Sequence, residues 1–149
     1  MTVCIKDRKR LLGEVLNGEM KLSPEGEIVR EVWLGLPRHY PNLELDSFIV
    51  MPDHIHGVLI LTDLDTRHDK GEGLNPSPTI KRHALPEIVR GFKALSTRSI
   101  NCRANTPETA VWQRSFYDHV IRNPQDLDDI RKYISENPLR WVMAENSRD

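Results

Sequence analysis

The stretch from Leu43 to Leu61 constrains the fold more than any other part of the chain. LELDSFIVM is apolar and β-branched, Pro52 and Asp53 interrupt it, and HIHGVLIL then resumes an extended pattern. Two strands joined by a tight Met-Pro-Asp turn are the simplest account, which predicts an antiparallel hairpin. Strand geometry repeats every two residues, so His54 and His56 project from the same face of that hairpin.

The flanking segments supply the partners for a sheet. Thr2 to Ile5 reads as a brief strand leading into a loop that carries Lys6, Arg8, Lys9 and Arg10. Ser23 before Pro24 is a helix start, because serine accepts from an orphan amide and proline at the first helical position loses nothing. Ile28, Val29, Val32, Trp33 and Leu36 follow at helical spacing, and Pro37 is expected to end the helix. Pro86 opens a second helix with the stripe Ile88, Val89, Phe92, Leu95 and Ile100, opposite a face bearing Arg90, Lys93 and Arg98. Val111 to Ile121 reads as another strand. Asn123, Pro124 and Asp126 then form a capping start for a last helix, with Leu127, Ile130 and Ile134 on its buried stripe. Pro138 places its end near Asn137, since a residue before proline avoids the helical region.

Residues 62–79 hold only Leu64 and Leu74 as apolar positions and are expected to form a long mobile loop. The order β, α, β, β, α, β, α predicts one α+β domain over 1–149, with a ferredoxin-like or RRM-like antiparallel sheet and helices mainly on one face.

Composition removes several classes of function. No apolar run approaches the roughly 20 residues that span a bilayer, and the opening MTVCIKDRKR has charges where a signal peptide is apolar. The expected address is cytoplasmic, with no membrane partner. Cys4 and Cys102 lie far apart and outside any CxxC pair, which argues against a disulfide framework or a thiolate zinc site. The net charge of -1 announces no global basic field. Locally the balance differs: Lys81, Arg82, Arg90, Lys93, Arg98 and Arg103 face one acid, Glu87, between residues 81 and 103.

Two neighbouring neutral imidazoles make a metal half-site, although a His-x-His pair is also what an ordinary polar strand face contains. Tyr133 and Asn137 stand four apart, which places them on one face of the expected last helix. Asn137 would occupy its final turn, where the negative end of the helix dipole favours a cation. An amide oxygen is a suitable hard ligand and a phenol one turn earlier is a candidate attacking group. A half-buried tyrosine and a C-terminal Asn before Pro are the plainer alternatives.

Three phrases occur in order over most of the chain: FIVMPDHIHGVLIL, LPEIVRGFKALSTRSIN and VWQRSFYDHVIRNPQDLDDIRKYISENPLRW. Together they resemble the single-tyrosine HUH transposases, in particular the branch of REP-associated tyrosine transposases. The resemblance implies that His54 and His56 are the two metal-binding histidines around a hydrophobic residue, Ile55. It implies that Asn137 is the third ligand of a divalent metal, Mg²⁺ or Mn²⁺, and that Tyr133 is the nucleophile. The implied activity is cleavage and rejoining of single-stranded or hairpin DNA through a 5′-phosphotyrosine intermediate. In some relatives the tyrosine helix serves the other subunit's metal site and other relatives work as monomers, so a homodimer is compatible with the resemblance. Asp53 departs from the Asn that relatives often carry before the metal pair. Relatives also tend to begin further upstream, with a longer first strand.

Arg90, Lys93 and Arg98, with Lys6, Arg8, Lys9, Arg10 and Arg114, are the candidate DNA-binding cations; phosphate contacts of this kind give salt-dependent affinity and little sequence choice. Tyr117 is the rival nucleophile, and His119 has the chemistry of an acid or base. Core packing is the expected role of Trp112 and Phe116. The alternative function is a domesticated, non-catalytic DNA-hairpin-binding protein. An RRM-like RNA binder is disfavoured by the missing aromatic run, and a zinc deaminase by the missing H-x-E and P-C-x-x-C.

Overall fold

The computed structural model describes residues 1–62 and 84–147. Beyond Thr62, the expected loop at 62–79 lies outside the described residues, as do Lys81 and Arg82. The expected hairpin is present: β4 (Leu43–Val50) pairs antiparallel with β5 (His54–Leu61), and Met51 N–H donates to His54 O across the turn at 2.8 Å. Its register slips by one residue between Leu45 and Phe48, so that Asp46 and Ser47 form a bulge in β4. β1 (Thr2–Cys4) pairs with the other edge of β5, with Thr2 opposite His56 and Cys4 opposite His54.

The expected strand from Val111 to Ile121 is only partly formed. Lys6 N–H donates to Val111 O, Gln113 N–H to Cys4 O, and Thr2 and Tyr117 exchange both backbone bonds, at 2.7–2.9 Å. Between those contacts the carbonyls of Gln113, Arg114 and Ser115 turn to the Lys93 ammonium, which donates to them at 2.7, 3.2 and 3.0 Å. A regular ladder needs those carbonyls along the sheet, so only isolated bridges at Trp112 and Tyr117 remain. The lateral order is therefore segment 111–117, β1, β5, β4, which is the ferredoxin-like arrangement.

Two long helices cover the Ile55 and Gly57 face. α1 (Pro24–His39) starts where Ser23 Oγ accepts from Gly26 N–H at 3.0 Å. It runs two residues past Pro37, whose missing amide costs one bond in a last turn that Tyr40 N–H closes on Leu36 O at 3.1 Å. Trp33 of α1 lies on Gly57, where a Cβ would stand 2.4 Å from two ring atoms; it stacks on Phe48 at 4.4 Å and meets Phe92 edge-on at 5.7 Å. α2 (Leu85–Ala104) contributes Ile88, Val89, Phe92 and Ile100 to this core. Trp112 joins it as expected, its indole donating to buried Ser96 Oγ at 2.9 Å, and Phe116 packs half-buried against it.

The histidine face carries α3 (Pro124–Ser135) and α4 (Asn137–Asn146). Asn123 caps α3 by accepting from Asp126 N–H at 2.8 Å, as its N-P-x-D sequence predicts. The expected helix end at Asn137 is replaced by a joint. Glu136 closes α3 and opens α4, and Pro138 sits in the first turn of α4, a position that suits proline as well as a stop does. Asn137 therefore begins a helix, at the positive and not the negative end of its dipole.

A second hairpin occupies part of the expected loop after the first strand: β2 (Gly13–Leu16) pairs with β3 (Glu19–Leu22). Its turn is Asn17-Gly18, with φ of 53° and 76°, the strongest short hairpin signal in the sequence. No helix among the described residues is long and apolar enough to cross a membrane.

Candidate active site

The turn and both neighbouring strands hold the two histidines. His54 Nδ1 donates to Asp53 Oδ1 at 2.5 Å, and Arg8 Nε reaches Asp53 Oδ2 at 3.2 Å. On the adjacent strand Thr2 Oγ1 stands 2.8 Å from His56 Nδ1. With both Nδ1 atoms engaged, the two Nε2 atoms face each other at 3.1 Å. A hydroxyl donates or accepts, so Thr2 serves either tautomer of His56. In one, His56 Nε2–H donates to His54; in the other, two lone pairs converge on one point, an arrangement that a cation stabilises.

Electrostatics keep His56 in the ligating form. Burial, followed by the charges of His54, the N-terminal ammonium and Arg8, presses the His56 pKa down to about 3. Burial pushes the Asp53 carboxyl up, but its hydrogen bond and charge interaction with His54 and the charge of Arg8 outweigh it and hold the group below its ordinary value. Asp53 is thus the acceptor that orients His54, a role its turn position alone did not distinguish.

The α3–α4 joint sets two aromatic side chains against this pair. The Tyr133 ring meets His56 at 5.4 Å and an interplanar angle of 72°, while Trp141 lies 6.0 Å from His54. Asn137, midway between them in sequence, is 6% exposed, and no hydrogen bond reaches its carboxamide among the described residues. Among those residues no three His, Cys, Asp or Glu side chains form a metal cluster. Two imidazoles and the carboxamide of a largely buried asparagine are nevertheless donor types that suit a divalent ion. An open cavity of about 780 Å³ runs from His56 and Tyr133 past Tyr117 and His119 to Leu127 and Ile130. His119 Nε2 stands 2.9 Å from Asp126 Oδ2 in its wall.

The cations divide into three groups. Arg8, half exposed, bonds Asp53 and Cys4 Sγ, and Arg10 lies over Trp141 at 5.3 Å and pairs with Glu145. Lys6, Lys9 and Arg114 are exposed on the loop and the edge segment. Arg90 and Arg98 are exposed on α2, across the sheet from the histidines, and Lys93 of the same helix is spent on three carbonyls. Sequence reading did not single out Thr2, Arg140, Trp141 or the Asp46–Arg131 pair. The offsets of Trp141 and Arg140 from Asn137, four and three residues, were the available signal.

The fold is an α+β architecture shared with a solved tyrosine transposase. A solved REP-associated tyrosine transposase bound to a REP hairpin has the same fold, with a TM-score of 0.64 and 21% identity over 93% of this chain and 64% of that one. No family model matches the sequence. An uncharacterised protein of Haemophilus influenzae is 32% identical over 95% of this chain and 79% of its own length. A second protein of that organism, described as "Putative REP-associated tyrosine transposase", is 30% identical over 74% of this chain and 57% of its own length. The chain thus spans less than two thirds of the named relative and of the solved structure. It is similar to the REP-associated tyrosine transposases in fold and, over the matched stretch, in sequence.

Proposed function

We propose that this protein is a metal-dependent DNA nickase and transposase that cleaves and rejoins single-stranded or hairpin DNA through a 5′-phosphotyrosine at Tyr133. The observation that carries the reading is the convergence of the His54 and His56 Nε2 atoms at 3.1 Å beneath the Tyr133 ring. His54, His56 and Asn137 would hold Mg²⁺ or Mn²⁺, which supplies polarisation of a phosphate oxygen and neutralises charge building in the transition state. Asp53 and Thr2 hold the imidazoles in place through their Nδ1 atoms. The Tyr133 oxygen attacks phosphorus and gives up its proton, the bond to the 3′-oxygen breaks, and that oxygen leaves as a hydroxyl. The covalent bond retained on tyrosine is available for rejoining when a 3′-hydroxyl attacks in the reverse sense.

One chain supplies the histidines and the tyrosine together, which supports a site assembled within a single subunit. The named relative and the hairpin-bound structure support hairpin DNA as the substrate class. The test is incubation with Mn²⁺ or Mg²⁺ and 3′-labelled single-stranded hairpin DNA. A denaturation-resistant labelled adduct that maps to Tyr133 is expected. Tight hairpin binding without any adduct would overturn the enzyme reading in favour of a non-catalytic hairpin binder.

A further inference from the structure

We infer that Arg140 is a positioning residue for Tyr133, clamping the phenol ring against His56; this rests on the reading of Tyr133 as the nucleophile. The ring is 44% exposed, so burial alone does not hold it. Among the described residues its hydroxyl makes no hydrogen bond, so nothing orients the phenol from its oxygen. Two ring contacts remain. His56 meets it at 5.4 Å, and the Arg140 guanidinium carbon stands 5.2 Å from the ring centre.

The α3–α4 joint makes this second contact available. Tyr133 lies in the last turn of α3 and Arg140 belongs to the first turn of α4, where a side chain leans back towards the helix N-terminus. Glu136, the joint itself, accepts from Arg140 Nη2 at 3.4 Å, which ties the guanidinium to the hinge between the helices. A planar guanidinium stacks on an aromatic face in a way that an ammonium does not. The Arg140 side chain is also half exposed, so it keeps N–H donors open to solvent. Attack geometry is steep in position, since a misplacement of about 1 Å can cost about a hundredfold in rate.

The experiment compares wild type, Arg140→Met and Arg140→Lys in single-turnover adduct formation with Mn²⁺ and saturating hairpin DNA, alongside hairpin affinity. Nuclear Overhauser contacts between the Tyr133 and His56 rings are recorded on the free proteins. Arg140→Met should slow the adduct step about tenfold to a hundredfold, leave Kd within a few-fold and weaken the ring contact. Arg140→Lys should restore little of the rate, because it returns charge without the stacking plane. An unchanged adduct rate in Arg140→Met overturns the inference, as does a rate restored in full by raising DNA concentration, which would make Arg140 a phosphate contact only. A wild-type protein that binds hairpin and forms no adduct overturns the parent reading of Tyr133, and this inference with it.

Discussion

Arg131 grips Asp46 with two parallel hydrogen bonds, Nε to Oδ1 at 2.8 Å and Nη2 to Oδ2 at 2.6 Å, and so fastens α3 to the bulge of β4. The bulge takes Asp46 out of the regular ladder and aims it at the helix that carries Tyr133 two residues further on. Arg131→Met should therefore loosen α3 and slow adduct formation while leaving binding of Mn²⁺ to the histidines in place. Equal adduct rates in the two proteins would show that this pair does not locate Tyr133.

The same pair predicts an acid dependence of stability. The hydrogen bonds and charge of Arg131 hold the Asp46 carboxyl well below the ordinary carboxylate value near 4. A depressed carboxylate pKa contributes stability that is present above that ordinary value and is lost as pH falls towards the folded value. His56 adds a separate window. Its folded pKa of about 3 lies below the ordinary 6.5, so the unfolded chain binds the extra proton and stability declines from about pH 6.5 down to 3. Urea midpoints across pH should fall in both windows; His56→Gln should flatten the upper one and Arg131→Met the lower.

Tyr133→Phe should abolish the covalent adduct and leave hairpin affinity nearly unchanged, because phenylalanine keeps the ring that packs on His56. Tyr117→Phe should retain the adduct. Tyr117 lines the same cavity but is 65% exposed and its ring is not the one on His56. Peptide mapping of the labelled adduct distinguishes the two; label on Tyr117 would reverse the assignment.

Metal affinity should depend on residues that do not touch the metal. Asp53→Ala removes the acceptor of His54 Nδ1–H and is expected to weaken Mn²⁺ binding about tenfold to a hundredfold by calorimetry. His56→Ala should remove both the binding heat and metal-dependent cleavage. Unchanged Mn²⁺ affinity in His56→Ala would place the metal elsewhere.

Gly57→Ala tests the opposite face. Its Cβ would meet Trp33 at 2.4 Å, in the stack that Phe48 completes. Overpacking of this kind should cost about 1–3 kcal/mol in urea unfolding. A variant as stable as wild type would mean that Trp33 and α1 shift freely.

The parts legible in the sequence were those whose signal is local. Period-2 alternation put both histidines on one face, and the Ser23-Pro24 and Asn123-Pro124 caps began α1 and α3 where the structure begins them. Asn17-Gly18 is equally local evidence for the hairpin of β2 and β3. Pro138 was ambiguous, because proline ends one helix and starts another by the same missing amide and fixed φ. The strand expected at 111–121 failed for a non-local reason, the pull of Lys93 on three carbonyls twenty residues away.

By itself, then, the sequence determined which residue types stand on which faces: two imidazoles on β5, a phenol and an amide four apart, a cluster of cations near the first strand. Only the tertiary structure decided which of them meet. The 3.1 Å approach of the Nε2 atoms depends on the hydrogen bonds of Asp53 and Thr2, and the seat of Tyr133 depends on how α3 and α4 cross the sheet. It also engaged Arg8 with Asp53, Arg10 with Trp141 and Glu145, and Lys93 with three carbonyls, and left Arg90 and Arg98 across the sheet from the histidines. Periodicity acts over a few residues along one element, whereas these contacts join residues brought together only when the elements pack.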